Sequence, residues 1–187
     1  MKSLGNKKIP FHESQKPSPL LMKFANTIAL DAPGPILDVA CGYGRNSNLF
    51  ASLGCKVICL DNDSEVLNCI SSLSNTTNSK GYIKPTPVYS DLKKTKWIFP
   101  PNSFGAIINV HFFLPSLLKS FVISLMPKGY LFIETISGHG ENYLELPSKG
   151  FILDSIKNQF DVFLYEEKKV GPLDSDAVTV KLFAKKR

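Results

Sequence analysis

Apolar positions along the chain come in short continuous runs separated by longer periodic stretches, and that alternation predicts the elements. After Ser18-Pro19, the residues Leu20, Leu21, Phe24, Ala25 and Ile28 recur at helical spacing. A helix is predicted there to about Leu30, with serine as N-cap and proline in the first turn. Ile36, Leu37, Val39 and Ala40 form a brief apolar run, the pattern of a parallel strand covered on both faces. Leu49, Phe50 and Leu53 predict a helix over 45–53, stopped by Gly54. Residues 56–60 read as a second buried strand, and Val66, Leu67, Ile70 and Leu73 as a helix over 64–73. The strand expected within 81–89 carries Pro85 and Pro87. Proline cannot donate to a ladder, so this strand belongs at a sheet edge. Residues 106–113 form the next buried run, and Leu117, Leu118, Phe121, Val122 and Leu125 a helix broken by Pro127-Lys128-Gly129. A fifth strand spans 130–135, a polar glycine-rich loop 137–150 and a short helix 152–159. Two alternating runs, 160–166 and 177–184, are predicted to pair antiparallel.

Strand and helix therefore alternate through most of the chain, which predicts an α/β fold with a largely parallel, doubly wound sheet. The 187 residues fit one domain over 18–187, preceded by a polar N-terminal arm at 1–17. A content of 43% hydrophobic and 20% charged residues describes an ordinary globular chain. No run reaches the length of a membrane span, and the first dozen residues lack the apolar core of a secretory signal. A cytoplasmic protein is expected. Its four cysteines, Cys41, Cys55, Cys59 and Cys69, show no C-x-x-C pair and no metal-ligand spacing. They read as small hydrophobes in a reducing compartment, with a reactive thiol at Cys41 as the lesser reading. The net charge of +6 and the paired lysines raise the possibility of a nucleic-acid surface. The clusters are short and lack the interleaved aromatic residues that stack bases, so solvated loops explain them as well.

The chemistry centres on the stretch from Ile36 to Ser47. A strand there runs into Gly42-Tyr43-Gly44, and a helix starts at Arg45. Glycines at such a turn allow positive φ and close approach of a ligand to backbone. A dinucleotide fingerprint would need a third glycine where Ser47 stands. Asp61 ends the second strand, where a carboxylate can accept both hydroxyls of a ribose, while Asp63 is placed to cap the next helix. Asp91 ends the edge strand and could accept from an adenine amino group. Asp38 would steady the turn or meet a cationic amine. These strand ends together suit a nucleoside with a small charged tail.

At these residues the chain resembles the class I S-adenosylmethionine-dependent methyltransferases. The matching segments are Ile36-Leu-Asp-Val-Ala-Cys-Gly-Tyr-Gly-Arg45, Val57-Ile-Cys-Leu-Asp61, Ser90-Asp91-Leu92, Asn109-Val-His111 and Met126-Pro-Lys-Gly-Tyr130. The Cys41-Gly-Tyr-Gly-Arg-Asn-Ser47 variant is similar to the small tellurite-resistance and thiopurine-methyltransferase branch. The resemblance implies a Rossmann-like, seven-stranded sheet in the order 3-2-1-4-5-7-6, with strand seven antiparallel. It implies S-adenosyl-L-methionine as cofactor, held by Asp38, Ala40, Gly42, Gly44, Asn46, Asp61, Asn62, Asp91, Leu92 and Asn109. Phe104-Gly105-Ala106 departs from the family's usual phenylalanine-aspartate pair before strand four. The asparagine-proline-proline-aromatic motif of nucleic-acid amino-methylases is absent.

The function expected is methyl transfer to a small-molecule acceptor. The alternatives are an RNA methyltransferase, a dinucleotide-dependent oxidoreductase and a protein that binds the cofactor without turnover. Displacement at a sulfonium mainly needs alignment, so a base is required only when the acceptor holds its proton tightly. His111 is the candidate base, with a polar wall of the cofactor or substrate pocket as its other reading. Tyr43, Arg45, Glu134, His139 and Tyr143 are candidates for the acceptor site, each with an ordinary packing or surface role as its alternative.

Overall fold

The computed structural model describes residues 16–73, 81–135 and 145–187. In chain order they form α1 (Pro19–Asp31), β1 (Ile36–Val39), α2 (Arg45–Ser52), β2 (Val57–Asp61), α3 (Ser64–Leu73), β3 (Thr86–Tyr89), β4 (Phe104–Val110), α4 (Leu117–Ser124), β5 (Leu125–Glu134), α5 (Phe151–Ile156), β6 (Phe160–Lys169) and β7 (Val178–Lys186). The strands make one seven-stranded sheet in the order β3-β2-β1-β4-β5-β7-β6. The pairs from β3 through β5 are parallel, and β7 runs antiparallel to both its neighbours. The order, the reversed last strand and the edge position of β3 all agree with expectation.

The central strands are buried on both faces, which is why their sequences do not alternate. On one face α1, α2 and α3 bring Leu21, Ile28, Phe50, Val66 and Ile70 against Ile36, Cys59, Ile108 and Phe132. On the other, α4 and α5 bring Leu117, Leu118, Phe121, Ile152 and Ile156 against Leu37, Leu60, Ile107 and Ile133. Each fully buried large side chain contributes about 1.5–3 kcal/mol relative to exposure, so the two layers hold the sheet rigid beneath its loops. Helix α1 starts as expected: Leu21 N donates to Ser18 Oγ at 3.1 Å.

Several boundaries moved. β5 begins at Leu125, straight out of α4, and not at Tyr130. Leu125 pairs with Phe104 ahead of a register shift in β4, and Lys128 at φ 66° carries the strand past Pro127. β3 is paired only from Thr86, with Pro87 opposite Cys59. β6 extends to Lys169, and α5 ends at Ile156. The register shift also explains the departure at Gly105. Its N–H donates to Pro35 O at 2.8 Å, and a Cβ there would lie 2.3 Å from Gly34 N. The loop before β1 presses on the start of β4, and no side chain fits between them.

All four cysteines are free thiols. Among the described residues, no helix is long and apolar enough to cross a membrane.

Candidate functional site

The carboxyl ends of β1, β2, β3 and β4 open on the same end of the sheet, where α/β folds bind ligands. After β1, Ala40 (φ 52°), Gly42 (φ 52°) and Gly44 (φ 76°) turn the chain into α2. Cys41 N donates to Leu60 O at 3.0 Å, and Gly44 N to Cys41 O at 3.0 Å, so the turn is anchored to β2 and to itself. The two glycines have different jobs. A Cβ at Gly42 would meet nothing within 4 Å, whereas one at Gly44 would meet Ile70 Cγ1 at 3.1 Å. Gly42 leaves open space for a ligand, and Gly44 lets α3 pack close.

Asp61 clasps this turn from the neighbouring strand. Its Oδ2 accepts from Gly42 N at 2.9 Å, and its Oδ1 accepts from Asn62 N at 2.8 Å and Asp63 N at 3.1 Å. Asp63 caps α3, accepting from Glu65 N at 2.9 Å and Val66 N at 3.3 Å. Asp63 is thus the cap expected of it. One cavity beside them is lined by Ala40, Asp61, Asn62, Asp91, Leu92 and Phe112, among others. Asp91 accepts from Lys93 N at 3.1 Å and pairs with the exposed Lys94 Nζ at 3.0 Å. The hydrogen bond from Lys94 holds its carboxyl below the usual carboxylate range.

Asp38 lies beneath the turn and faces α2. Its Oδ2 accepts from Ser47 Oγ at 2.6 Å, and Ser47 Oγ accepts in turn from Cys59 Sγ at 3.0 Å. Ser47, at the third-glycine position, is fully buried and acts as a peg between β1, β2 and α2. The structure thus sets Asp38 to steady the turn. Burial pushes the Asp38 carboxyl up to about 6 from 3.8, with the Ser47 bond opposing. Cys41 is pushed far up as well, chiefly by its hydrogen bond with Cys59 and then by burial, which keeps it a thiol and disfavours a reactive role.

A raised carboxylate pKa favours the fold when protonated. The stabilisation is complete below about pH 4 and is lost as pH rises toward and through about 6, a change of ~3 kcal/mol. Asp38→Asn removes this dependence. Its stability relative to the native protein should rise by roughly that amount between pH 4 and 7, read from urea unfolding at each pH. A gap that stays constant across this range would show that Asp38 does not titrate this way.

A second group of residues surrounds the end of β4. Asn46 Oδ1 accepts from Ser18 N at 3.1 Å, and Ser18 Oγ donates to Glu134 Oε2 at 2.5 Å. Glu134 O accepts from His111 N at 2.8 Å. His111 takes a φ of 63°, a left-handed conformation that histidine tolerates better than most residues. Its Nδ1 lies 3.3 Å from Arg45 Nη2, while Arg45 Nη1 donates to Lys16 O at 3.5 Å. A second cavity is lined by His111, Phe112, Phe113, Thr135, Glu145 and Leu146. Phe112 walls both cavities. Wider hollows lie elsewhere, by Pro172–Ala177 and between α4 and α5, but neither meets the strand-end carboxylates.

The structure therefore brings together Ala40, Asp61, Asn62, Asp91 and Leu92 at one cavity, with Gly42 hydrogen-bonded to Asp61. His111 lines the neighbouring cavity, with Arg45 against its ring and Glu134 O accepting its backbone N–H, while Asn46 is tied through Ser18 to Glu134. Tyr43 instead packs against the α1–α3 face. Asn109 is fully buried in β4, with Nδ2 3.5 Å from Val39 O and Oδ1 without a hydrogen-bond partner among the described residues. His139 and Tyr143 lie outside the described residues. Sequence reasoning missed Ser18 as a site residue, Ser47 as a peg and Phe112 as a shared wall. A small polar residue in place of the third glycine, facing a strand aspartate, was the available signal for Ser47.

The methyltransferase-domain family matches residues 36–129, just over half of the chain, and this segment holds the glycine turn, Asp61 and Asp91. The chain belongs to the class I S-adenosylmethionine-dependent methyltransferases. None of the curated proteins compared with this methyltransferase matches it. Among solved structures it is similar to a SAM-dependent methyltransferase from Methanosarcina mazei, with 16% identity and a TM-score of 0.65 over 92% of this chain and 99% of that one. It is also similar to TehB from Haemophilus influenzae, with 16% identity and a TM-score of 0.63 over 89% of this chain and 62% of TehB. The tRNA (m1A58) methyltransferase TrmI from Aquifex aeolicus matches at 16% identity and a TM-score of 0.54, over 89% of this chain and 67% of that one. At these identities the likeness speaks for the fold.

The methyltransferase's own geometry fits the cofactor. The face of Gly42 is open, Asp61 at the end of β2 accepts its N–H, and a cavity runs from Asp61 to Asp91 and Phe112.

Proposed function

We propose that this methyltransferase modifies a small-molecule acceptor, which enters at the His111–Leu146 cavity while the cofactor lies across Gly42, Asp61 and Asp91. The observation that carries the reading is the pair of adjacent cavities sharing Phe112, one beside the strand-end carboxylates and one beside Arg45 and His111. S-adenosylmethionine supplies a methyl group on a sulfonium, an electrophile with a good leaving group already in place. The chain's part is to hold and align. Asp61 would accept from the ribose, Asp91 from the adenine amino group, and the open turn at Gly42 would receive the amino-acid end. Phe112 lines both compartments, so the methyl group would pass beside its ring from one to the other.

An RNA acceptor is favoured by the net charge of +6 and the lysine clusters. The lysine clusters that the structure describes are largely engaged within the chain. Lys93 pairs with Glu145 and Lys94 with Asp91. Lys169 donates to Leu173 O, Lys185 sits 4.8 Å from the Tyr130 ring centroid, and Lys186 donates to Val122 O and Leu125 O. These contacts leave little of a continuous basic track, which supports the small-molecule reading.

Isothermal calorimetry with S-adenosylmethionine and S-adenosylhomocysteine tests the cofactor site: saturable binding of both is expected, and no heat at millimolar ligand would remove the proposal. An acceptor panel scored by S-adenosylhomocysteine release then identifies the substrate.

A further inference from the structure

One ion pair joins the rims of the two cavities. Lys93 lines the cavity beside Asp61, and Glu145 lines the one beside His111. Lys93 Nζ reaches Glu145 Oε1 at 3.2 Å, so the pair crosses from one compartment to the other, as Phe112 does. Each partner comes from a braced loop. In the turn after β3, Lys94 N and Thr95 N donate to Asp91 O at 3.0 and 2.8 Å, and Lys93 N donates to Asp91 Oδ1 at 3.1 Å. Lys94 is paired with Asp91, which leaves Lys93 to cross the gap. On the other side, residues 147–149 are stitched to the approach of β7. Val178 N donates to Pro147 O at 2.9 Å, Ser148 bridges to Ala177, and Lys149 N donates to Asp176 O at 2.9 Å. Glu145 and Leu146 lie just before this fixed base.

The compartments that the pair spans are small. The first has a volume of about 80 Å³ and the second about 100 Å³. Sites for drug-sized ligands have about 300–1,000 Å³. A nucleoside with an amino-acid tail, together with its acceptor, needs the two to widen into one. The contact that holds their rims at the present spacing is Lys93–Glu145. Both side chains are about half exposed, at 54% and 55%, so parting them strands no buried charge. Exposed pairs of this kind are weak, which suits a contact that opens in every turnover.

Resting on the methyltransferase reading, we propose that Lys93 and Glu145 form a clasp across the two compartments. It opens to admit S-adenosylmethionine and to release S-adenosylhomocysteine, and it closes to hold cofactor and acceptor side by side. Both are positioning residues, and their effect falls on the rates of cofactor exchange.

Stopped-flow binding of S-adenosylhomocysteine to the whole protein tests the clasp. In Glu145→Gln, association and release are both expected to quicken roughly two- to fivefold, the range an exposed ion pair supports, with Kd changing less than either rate. Lys93→Glu and Glu145→Lys should each quicken both rates at least as much, and the two changes combined in one chain should return them to within twofold of native. Hydrogen exchange in the free protein reads the same contact without cofactor. Residues 145–149 should exchange faster in either single reversal and at the native rate in the combined variant. Faster release with unchanged association would make these side chains plain ligand contacts and overturn the proposal. So would a combined variant as fast as the single reversals, or rates or exchange indifferent to them. Native protein that binds no S-adenosylhomocysteine would remove the cofactor site and the clasp with it, whereas binding with unaltered rates removes the clasp alone.

Discussion

Gly105→Ala is expected to destabilise the domain by about 3 kcal/mol or more, near the upper end for inserting a methyl group into packed backbone. The clash is with main chain. A Cβ at Gly105 would lie 2.3 Å from Gly34 N, 2.6 Å from Gly34 O and 2.9 Å from Gly34 C, so no side-chain rotation relieves it. Relief requires the loop before β1 to move away, which would break the hydrogen bond from Gly105 N to Pro35 O. It would also disturb the pairing of β1 with β4 at Ile36 and Ala106. Against a typical total of 5–15 kcal/mol this is a large fraction, and for a domain of this size it lowers Tm by roughly 6–12 °C. Urea and thermal unfolding measure it directly. A loss below about 1 kcal/mol would mean that the contact is not as tight as described. Gly105→Asp, which would restore the family's usual acidic residue, should fare no better, because its Cβ meets the same atoms.

Asp61→Ala is expected to weaken cofactor binding by two orders of magnitude or more. Hydrogen bonds to a charged group contribute about 1.5–3 kcal/mol each, so losing one or two from ribose hydroxyls is worth roughly 10- to 10,000-fold, with two orders of magnitude near the middle. The residue also holds the turn: without it, Gly42 N, Asn62 N and Asp63 N lose their acceptor. Asp61→Asn separates charge from shape. An amide presents one oxygen and one NH₂, so one edge must set a donor against either Gly42 N or the Asn62 and Asp63 N–H pair. Asparagine should therefore rescue little of the loss. Calorimetry with S-adenosylhomocysteine supplies the affinities, and an Asp61→Ala protein that binds within threefold of the native one would remove Asp61 from the cofactor site.

The sheet order was legible because two independent signals converged. Prolines placed β3 at an edge, and a resemblance carried by motifs at strand ends supplied the rest. Strand ends are where sequence says most, since glycine turns and carboxylates there have few substitutes. Boundaries set by tertiary contact were not legible. Leu125 joins β5 because Phe104 is its neighbour across the bulge, and nothing in residues 125–129 announces that. The same holds within the site. The cap at Asp63 could be assigned from local spacing, because its partners lie two and three residues away. Ser18 could be read as a cap, but its bond to Glu134, 116 positions away, could not. The Arg45–His111 contact, 66 positions apart, is likewise long-range and was not legible.

β7 sits between β5 and β6, yet it follows both in the chain. On a ribosome β5 therefore emerges with one edge unpaired, and β6 emerges with no strand to join. Both wait for the same segment, which must slide in between them in reverse direction. That segment also brings Lys186, whose Nζ donates to Val122 O and Leu125 O at 2.7 Å each, 64 and 61 positions upstream. The α4–β5 junction gains these bonds only when β7 arrives. The cofactor half, from β3 to β4, has no such dependency, so vectorial synthesis presents a nearly complete nucleoside site before the sheet is closed. The β5 edge is the part of the nascent chain left for a chaperone, or for another copy, to find first.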